Sequence, residues 1–277
     1  MSGQHALRKR AALLSELQEI VQAMKNVASA EVQRATRERQ ALTQALLAVA
    51  DGLAQCVDMD LPNDTPTLHA GKNSWLAIGA ERGFCGTFNA RLLQALRSLL
   101  LDDPHAHVLL ASHRASDRLD SAGNRYVVLP GCATVDDAPA AIDTWLAALD
   151  EERRQGRTLW LLHTSESGLV SRRLLPEPDL TSIIASEPAA QDASGPPIHY
   201  LSAPLLQAAL QRQAFRLLVQ TALCESLEHE NRSRLSQMQL AQAHLEELGH
   251  LMRRRQAAQR QADITNELET LTSILAP

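Results

Sequence analysis

The chain has 277 residues, a formal net charge of −5 and a pI near 6.1, so no global positive field points to nucleic acid. Hydrophobic residues make up 45 %, largely Ala and Leu, and aromatics only 3 %, a balance suited to narrow helical seams. No run approaches the ~20 apolar residues a membrane helix requires, and polar, basic Met1–Arg10 has no apolar segment behind it, which argues against a secretion signal.

A long helix is predicted from His5 to about Val57, free of proline until Pro62. One position repeats every seven residues: Leu7, Leu14, Val21, Ala28, Ala35, Leu42, Val49 and Cys56. That series predicts a coiled-coil seam, and small Ala28 and Ala35 allow the partner axis to come close. A second line, Leu17, Met24 and Ala45, is broken by Glu31 and Glu38.

From Asp58 to Asn73 prolines, Asp, Asn and Gly mark a connection. The period then changes. Ser74–Gly79, Val108–Ser112, Tyr126–Leu129 and Thr158–His163 read as short apolar strands, with Leu169–Leu175 a further strand at the edge. Helices are predicted between them over Ala90–Leu101, Arg114–Ser121 and Val135–Arg154. Apolar strands alternating with helices describe a mostly parallel sheet covered on its faces. Ala185–Pro197 is a loop by composition.

After Pro204 no proline occurs until Pro277, and Gly249 is the only glycine, so Leu205–Pro277 reads as one helix. Its apolar positions Met238, Ala241, Leu245, Leu248 and Met252 keep the 3,4 rhythm of a second seam.

The charges follow these boundaries. Residues 1–57 hold seven basic and five acidic residues, 58–203 twelve and nineteen, and 204–277 eight and eight. The expected fold is therefore α/β: a long antiparallel coiled coil of N- and C-terminal helices with an inserted α/β, Rossmann-like, mostly parallel-sheet domain. The expected division is 1–58, 59–203 and 204–277. Unequal helix lengths predict that about 20 residues of the second helix project alone, carrying Ile264, Leu268, Leu271, Ile274 and Leu275. The register expected for the pair sets Met24 level with Arg234.

Few motifs carry chemistry. Glu81–Asn89 (ERGFCGTFN) follows the first strand, where nucleotide-binding proteins place glycine loops, but Gly83-x-x-Gly86 matches neither fingerprint and a tight turn is expected. Gly83 is expected to need a backbone angle closed to other residues. Cys85 as a nucleophile would require a lowered pKa. Cys56, Cys85, Cys132 and Cys224 lack metal-ligand spacing and are expected to be reduced thiols. His105 and His107 read as exposed, without an acidic partner. Ser165, Glu166 and Ser167 read as a loop, and Arg253–Arg255 as a solvated face beside Glu246 and Glu247. No constellation for catalysis is found, and no cofactor or metal is expected.

Three segments resemble signatures of one family: Ala23–Ala30 (AMKNVASA), Ala80–Asn89 (AERGFCGTFN) and Arg260–Leu268 (RQADITNEL). They are similar to those of the gamma subunit of rotary F-type ATP synthases, and the correspondence runs over nearly the whole chain. The chain departs from the family at Glu81, Phe84, Thr87 and Phe88, at Arg234-Leu235 and Met238-Gln239, and in having only Lys9, Lys25 and Lys72 as lysines. It looks like a divergent branch.

The resemblance implies a central rotor shaft that hydrolyses nothing itself and couples ion flow to ATP synthesis or hydrolysis. The implied partners are the alpha and beta subunits of the catalytic ring, the epsilon subunit and the membrane c-ring, with no nucleic acid. It implies a peripheral place on the cytoplasmic face of the inner (plasma) membrane. Matching family contact positions gives Met24, Lys25, Arg234, Arg260, Gln261, Thr265 and Glu267 as residues facing the ring. The coupled ion is not written here, since its ligands belong to another subunit. Two readings stay open beside this one: a phosphate- or nucleotide-binding α/β protein with a helical dimerisation arm, and a scaffold coiled coil.

Overall fold

The computed structural model describes residues 2–57, 72–119, 126–175 and 201–275. The connections expected at 58–73 and 185–197 fall wholly or almost wholly outside them. The elements are α1 (Ser2–Val57), β1 (Asn73–Ile78), α2 (Phe88–Asp102), β2 (His107–Ala111), α3 (His113–Ser116), β3 (Tyr126–Leu129), α4 (Ala138–Arg154), β4 (Thr158–Ser165), β5 (Gly168–Leu175) and α5 (Ala203–Leu275). The chain divides into two compact units, one of Met1–Ser29 with Arg234–Pro277, the other of Ala30–Ser233.

The larger unit is built on a sheet of order β3-β2-β1-β4-β5, parallel except for β5. Strand side chains alternate between faces. Leu76, Ile78, Leu109 and Leu161 lie in one buried cluster with Ile142, Trp145 and Leu149 of α4. The same cluster takes in Ala35 and Leu46 of α1 and Leu218 and Leu223 of α5. Trp75, Ala77, Val108 and Leu110 point the other way, onto Leu92, Leu96 and Leu100 of α2. A sheet buried on both faces explains the near-continuous apolar strands. The helix expected from Val135 starts instead with a 3₁₀ turn, Val135–Asp137, where Asp137 accepts hydrogen bonds from the Thr134 amide and hydroxyl. Pro139 in the first turn of α4 costs no hydrogen bond. Glu166 and Ser167 form the hairpin tip, with Gly168 at φ +113° closing the turn into β5.

In the smaller unit the two helix segments pair antiparallel: Lys25 Nζ donates to Gln242 Oε1 at 3.1 Å. A Cβ on Gly249 would lie 3.3 Å from Leu14 Cδ2, so the Leu14 side chain packs directly over the glycine. This register corrects the expected one. Arg234 precedes Gln242 by eight residues, so it stands about 12 Å along the axis from the level of Lys25. At the same register Ser2 comes level with about Thr265, leaving only about ten residues of α5 (275 − 265) unpaired rather than twenty.

The seven-residue series on α1 is covered throughout, but the second line is corrected as well. Leu17 and Ala45 are exposed. The covered companions sit four residues after each seam position: Ala11, Gln18, Lys25, Val32, Arg39, Leu46 and Leu53. Three of these are polar because α5 offers polar partners there, such as Glu228, which accepts from Arg39 Nε at 2.9 Å. Reading hydropathy alone skips such positions.

Candidate functional site

The crevice outside the carboxyl ends of β1 and β4, where the strand order reverses, is the place an open parallel sheet offers a ligand. The loop after β1 instead turns toward the carboxyl ends of β2 and β3, on the other side of β1. Glu81 leaves β1, and its Oε2 accepts a hydrogen bond from the His113 backbone N–H at 3.0 Å, while Oε1 lies 3.4 Å from His113 Nδ1. A Cβ on Gly131 would sit 2.1 Å from Glu81 Oε2, so only glycine lets the loop after β3 close over this carboxylate. An anion arriving at the α3 amide would meet a carboxylate already seated there.

The loop itself is tied to the sheet. Asn89 Oδ1 accepts from Ala80 N–H at 2.8 Å and its Nδ2 donates to Ala80 O at 2.9 Å. Ser112 Oγ also donates to Ala80 O and accepts from Ala115 N–H, which caps α3. The tight turn is present, but the residues at positive φ are Phe84 and Gly86, both at +62°, and of these only the non-glycine Phe84 is strained. Gly83 is not among them. Its added Cβ would meet only the Arg114 guanidinium, the movable end of a flexible side chain, at 3.0 Å. Phe84 is 67 % exposed, and Cys85 is buried with Sγ 3.6 Å from Arg82 O.

At the opposite end of the strands His107 departs from the sequence reading. It is largely buried on β2, with Nδ1 2.8 Å from Glu152 Oε1 but without hydrogen-bond alignment. Buried Glu152 also accepts from Ser74 Oγ and lies 3.3 Å from Arg157 Nε. The network joins β1, β2 and the end of α4. Sequence distance hid it, since Glu152 lies 45 residues beyond His107.

His163 and Glu225 were also missed. His163 Nε2 lies 2.8 Å from Glu225 Oε2, joining β4 to α5. Burial pushes the Glu225 carboxyl up, but the hydrogen bond and charge of His163, with Arg172 and Arg39, outweigh it and hold the group below its ordinary range. Burial also raises the thiols of Cys132, with Asp137 adding to it, and Cys224, with Glu38 adding to it, each to about 12. Groups of that kind stay protonated and inert.

The seven contact positions separate into two sets. Met24 and Lys25 are half-buried on α1, and Arg234 is 5 % exposed on α5. Arg260, Gln261 and Thr265 are exposed near the end of α5, where Thr265 Oγ1 donates to Gln261 O at 3.0 Å. Glu267 lies on the same helix, with its side chain outside the described set. Ile264 and Leu268 are 57 % and 59 % exposed. The side chains of Leu271, Ile274 and Leu275 lie outside the described set.

Two terminal helices paired antiparallel, carrying a doubly covered parallel sheet between them, define a helix-flanked α/β chain. Solved structures share this fold. A chain of the Euglena gracilis mitochondrial ATP synthase (OSCP/F1/c-ring, rotational state 3) superposes with TM-score 0.60 at 15 % identity, covering 99 % of this chain and 94 % of that one. A chain of the Tetrahymena thermophila mitochondrial ATP synthase central stalk/c-ring gives 0.51 at 15 % identity, over 80 % and 99 %. The ATP synthase gamma chain of Desulforamulus reducens is 24 % identical over 286 aligned residues, 98 % of this chain and 97 % of that one. The family model described as ATP synthase matches residues 4–273. The chain belongs to the ATP synthase family, in which it is a gamma subunit of the central rotor stalk and not itself an enzyme.

Proposed function

We propose that this gamma subunit transmits torque between a membrane c-ring and a ring of alpha and beta subunits, coupling ion flow to ATP synthesis or hydrolysis. In this reading residues 1–58 and 204–277 form the shaft, and 59–203 form a foot beside an epsilon subunit. The assembly is peripheral, on the cytoplasmic face of the inner (plasma) membrane. No helix among the described residues is long and apolar enough to cross a membrane.

The observation that supports this most is the paired helix unit, which leaves large apolar side chains uncovered, Leu13, Ile20, Val27, Ile264 and Leu268 among them. Exposed apolar surface of this extent marks a site that other chains cover. Met24, Lys25, Arg234, Arg260, Gln261, Thr265 and Glu267 make the ring contacts. Exposed Arg260, Gln261 and Thr265 are the best placed of them and Arg234 the least. The tip of α5 seats in an apolar collar, by packing rather than fixed ion pairs, so that rotation meets no deep trap. Glu81, already seated on the His113 amide, weighs against an anion site there and so against the nucleotide-binding alternative.

Co-purification tests the assembly. The tagged chain is expected to recover alpha and beta subunits in molar excess over itself, and the variant Ile264→Asp with Leu268→Asp to recover far less, because burying unpaired carboxylates costs several kcal/mol. Recovery of the chain alone, together with micromolar nucleotide binding, would overturn the shaft reading.

A further inference from the structure

We propose that the charge contacts of Glu228 fix the rotational setting of α5 against α1 and the sheet, which the apolar residues of that helix leave open. Leu217, Leu218, Val219, Ala222, Leu223 and Leu227 are each no more than 4 % exposed. At about 100° per residue they take up about 260° of the helix circumference. Turned by one residue, the helix would still set an apolar side chain against each neighbour. Burial of apolar surface is non-directional, so it does not choose among such settings.

The remaining sector carries Thr221, Glu225, Glu228 and Arg232. Hydration does not orient it, since Thr221 and Glu228 are 7 % and 4 % exposed. Thr221 Oγ1 donates back to Leu217 O of its own helix at 2.8 Å, a bond that turns with the helix. Glu228 reaches outside it. Its Oε2 accepts from Arg39 Nε of α1 at 2.9 Å, and its Oε1 accepts from Arg232 Nη2. The same guanidinium lies 3.3 Å from Glu166 Oε1 at the β4–β5 hairpin tip through Nη1. Glu225, on the same sector, meets His163 of β4, a hydrogen bond that needs no charge on the ring.

Charge-assisted hydrogen bonds are short and directional, so they tolerate little rotation. Side chains end about 5–6 Å from a helix axis, and turning α5 by one residue would carry the Glu228 carboxylate roughly 8 Å from Arg39. A buried carboxylate would then stand without its cation, which excludes that setting. Compared with an apolar pair of similar size, the ion pair adds little stability, because desolvation offsets the attraction. Its contribution is orientation, and Arg39 and Arg232 are the positioning residues.

Disulfide trapping in the full-length chain tests this, in a Cys56→Ala background that removes the thiol one turn from Gly52. A Cβ on Gly52 would lie 3.3 Å from Leu210 Cδ1, so Gly52→Cys with Leu210→Cys is within bonding reach. Ala209→Cys and Gln211→Cys probe settings about 100° to either side. With Arg39 and Glu228 intact, the yield at 210 is expected to exceed those at 209 and 211 about tenfold. With Arg39→Leu and Glu228→Leu together, the three yields should come within about threefold of one another, while the urea midpoint stays level or rises. Arg39→Lys, which keeps a cation on Glu228, should retain the peak at 210. A peak that survives in the double Leu variant, or that Arg39→Lys also loses, overturns the proposal. So does a double Leu variant that fails to fold or unfolds at lower urea, since the pair would then supply stability rather than orientation.

Discussion

The helix-pair unit and the sheet unit solve the problem of burial in opposite ways. Among the described residues, only Ala28 and Met238 of the buried apolar set belong to the helix-pair unit; all the rest lie in the sheet unit. The sheet unit excludes water from Trp145, Leu161 and their neighbours, while the helix pair leaves Leu13, Leu17, Ile20 and Val27 about half exposed. Its seam is narrow and partly polar, with Lys25 bonded to Gln242 and Gly249 against Leu14. The difference teaches that one chain can place its folding stability in one unit and hold apolar surface for partners in another.

Mutations can break that contrast most plainly at the core. Trp145→Ala removes a fully buried ring whose Nε1 donates to Pro130 O at 2.8 Å, and should cost about 3–5 kcal/mol in urea unfolding. Leu17→Ala in the helix pair should stay within about 0.5 kcal/mol. A comparable loss at both sites would mean that the pair is as tightly packed as the sheet.

The loop after β1 offers a smaller effect. Gly86→Ala forces a side chain into φ +62° and should cost about 1–2 kcal/mol, whereas Gly83→Ala, which displaces only the Arg114 tip, should cost well under half of that. The same unfolding assay ranks the two, and a reversed order would refute the assigned geometry.

In the helix pair, Gly249→Ala should raise the melting temperature. The better helix former gains about 0.8–1 kcal/mol, and the contact at 3.3 Å is with the flexible end of Leu14. Destabilisation instead would show a seam too tight for one methyl.

A further change is expected at alkaline pH. Between about 9 and about 12 the folded chain keeps the protons of Cys132 and Cys224 that the unfolded chain releases, so stability should fall as pH rises through that window. Cys224→Ala should flatten the slope in a series of urea titrations, and both thiols should resist alkylation until the chain unfolds.

Much of the molecule was legible from residue order. The seven-residue series from Leu7 to Cys56 and the proline-free end of the chain specify two long helices, because helical periodicity is a local property. β3 was found to the residue, Tyr126–Leu129, and the terminal motif pointed to the right family. Local patterns fixed neither register nor partnership. Met24 was set level with Arg234 by starting the pair at Val49 and Ala209, a choice that a seven-residue apolar repeat does not itself fix. The polar contact of Lys25 with Gln242 is what distinguishes the true register. Glu81 on the His113 amide, Glu152 beside His107 and Glu225 beside His163 bring together residues 32, 45 and 62 positions apart. The sequence by itself determined the elements and the family. The tertiary structure alone decided which charges meet, because burial and partner distance, not residue type, set whether a carboxylate seats on a loop amide, ties strands or joins a strand to a helix.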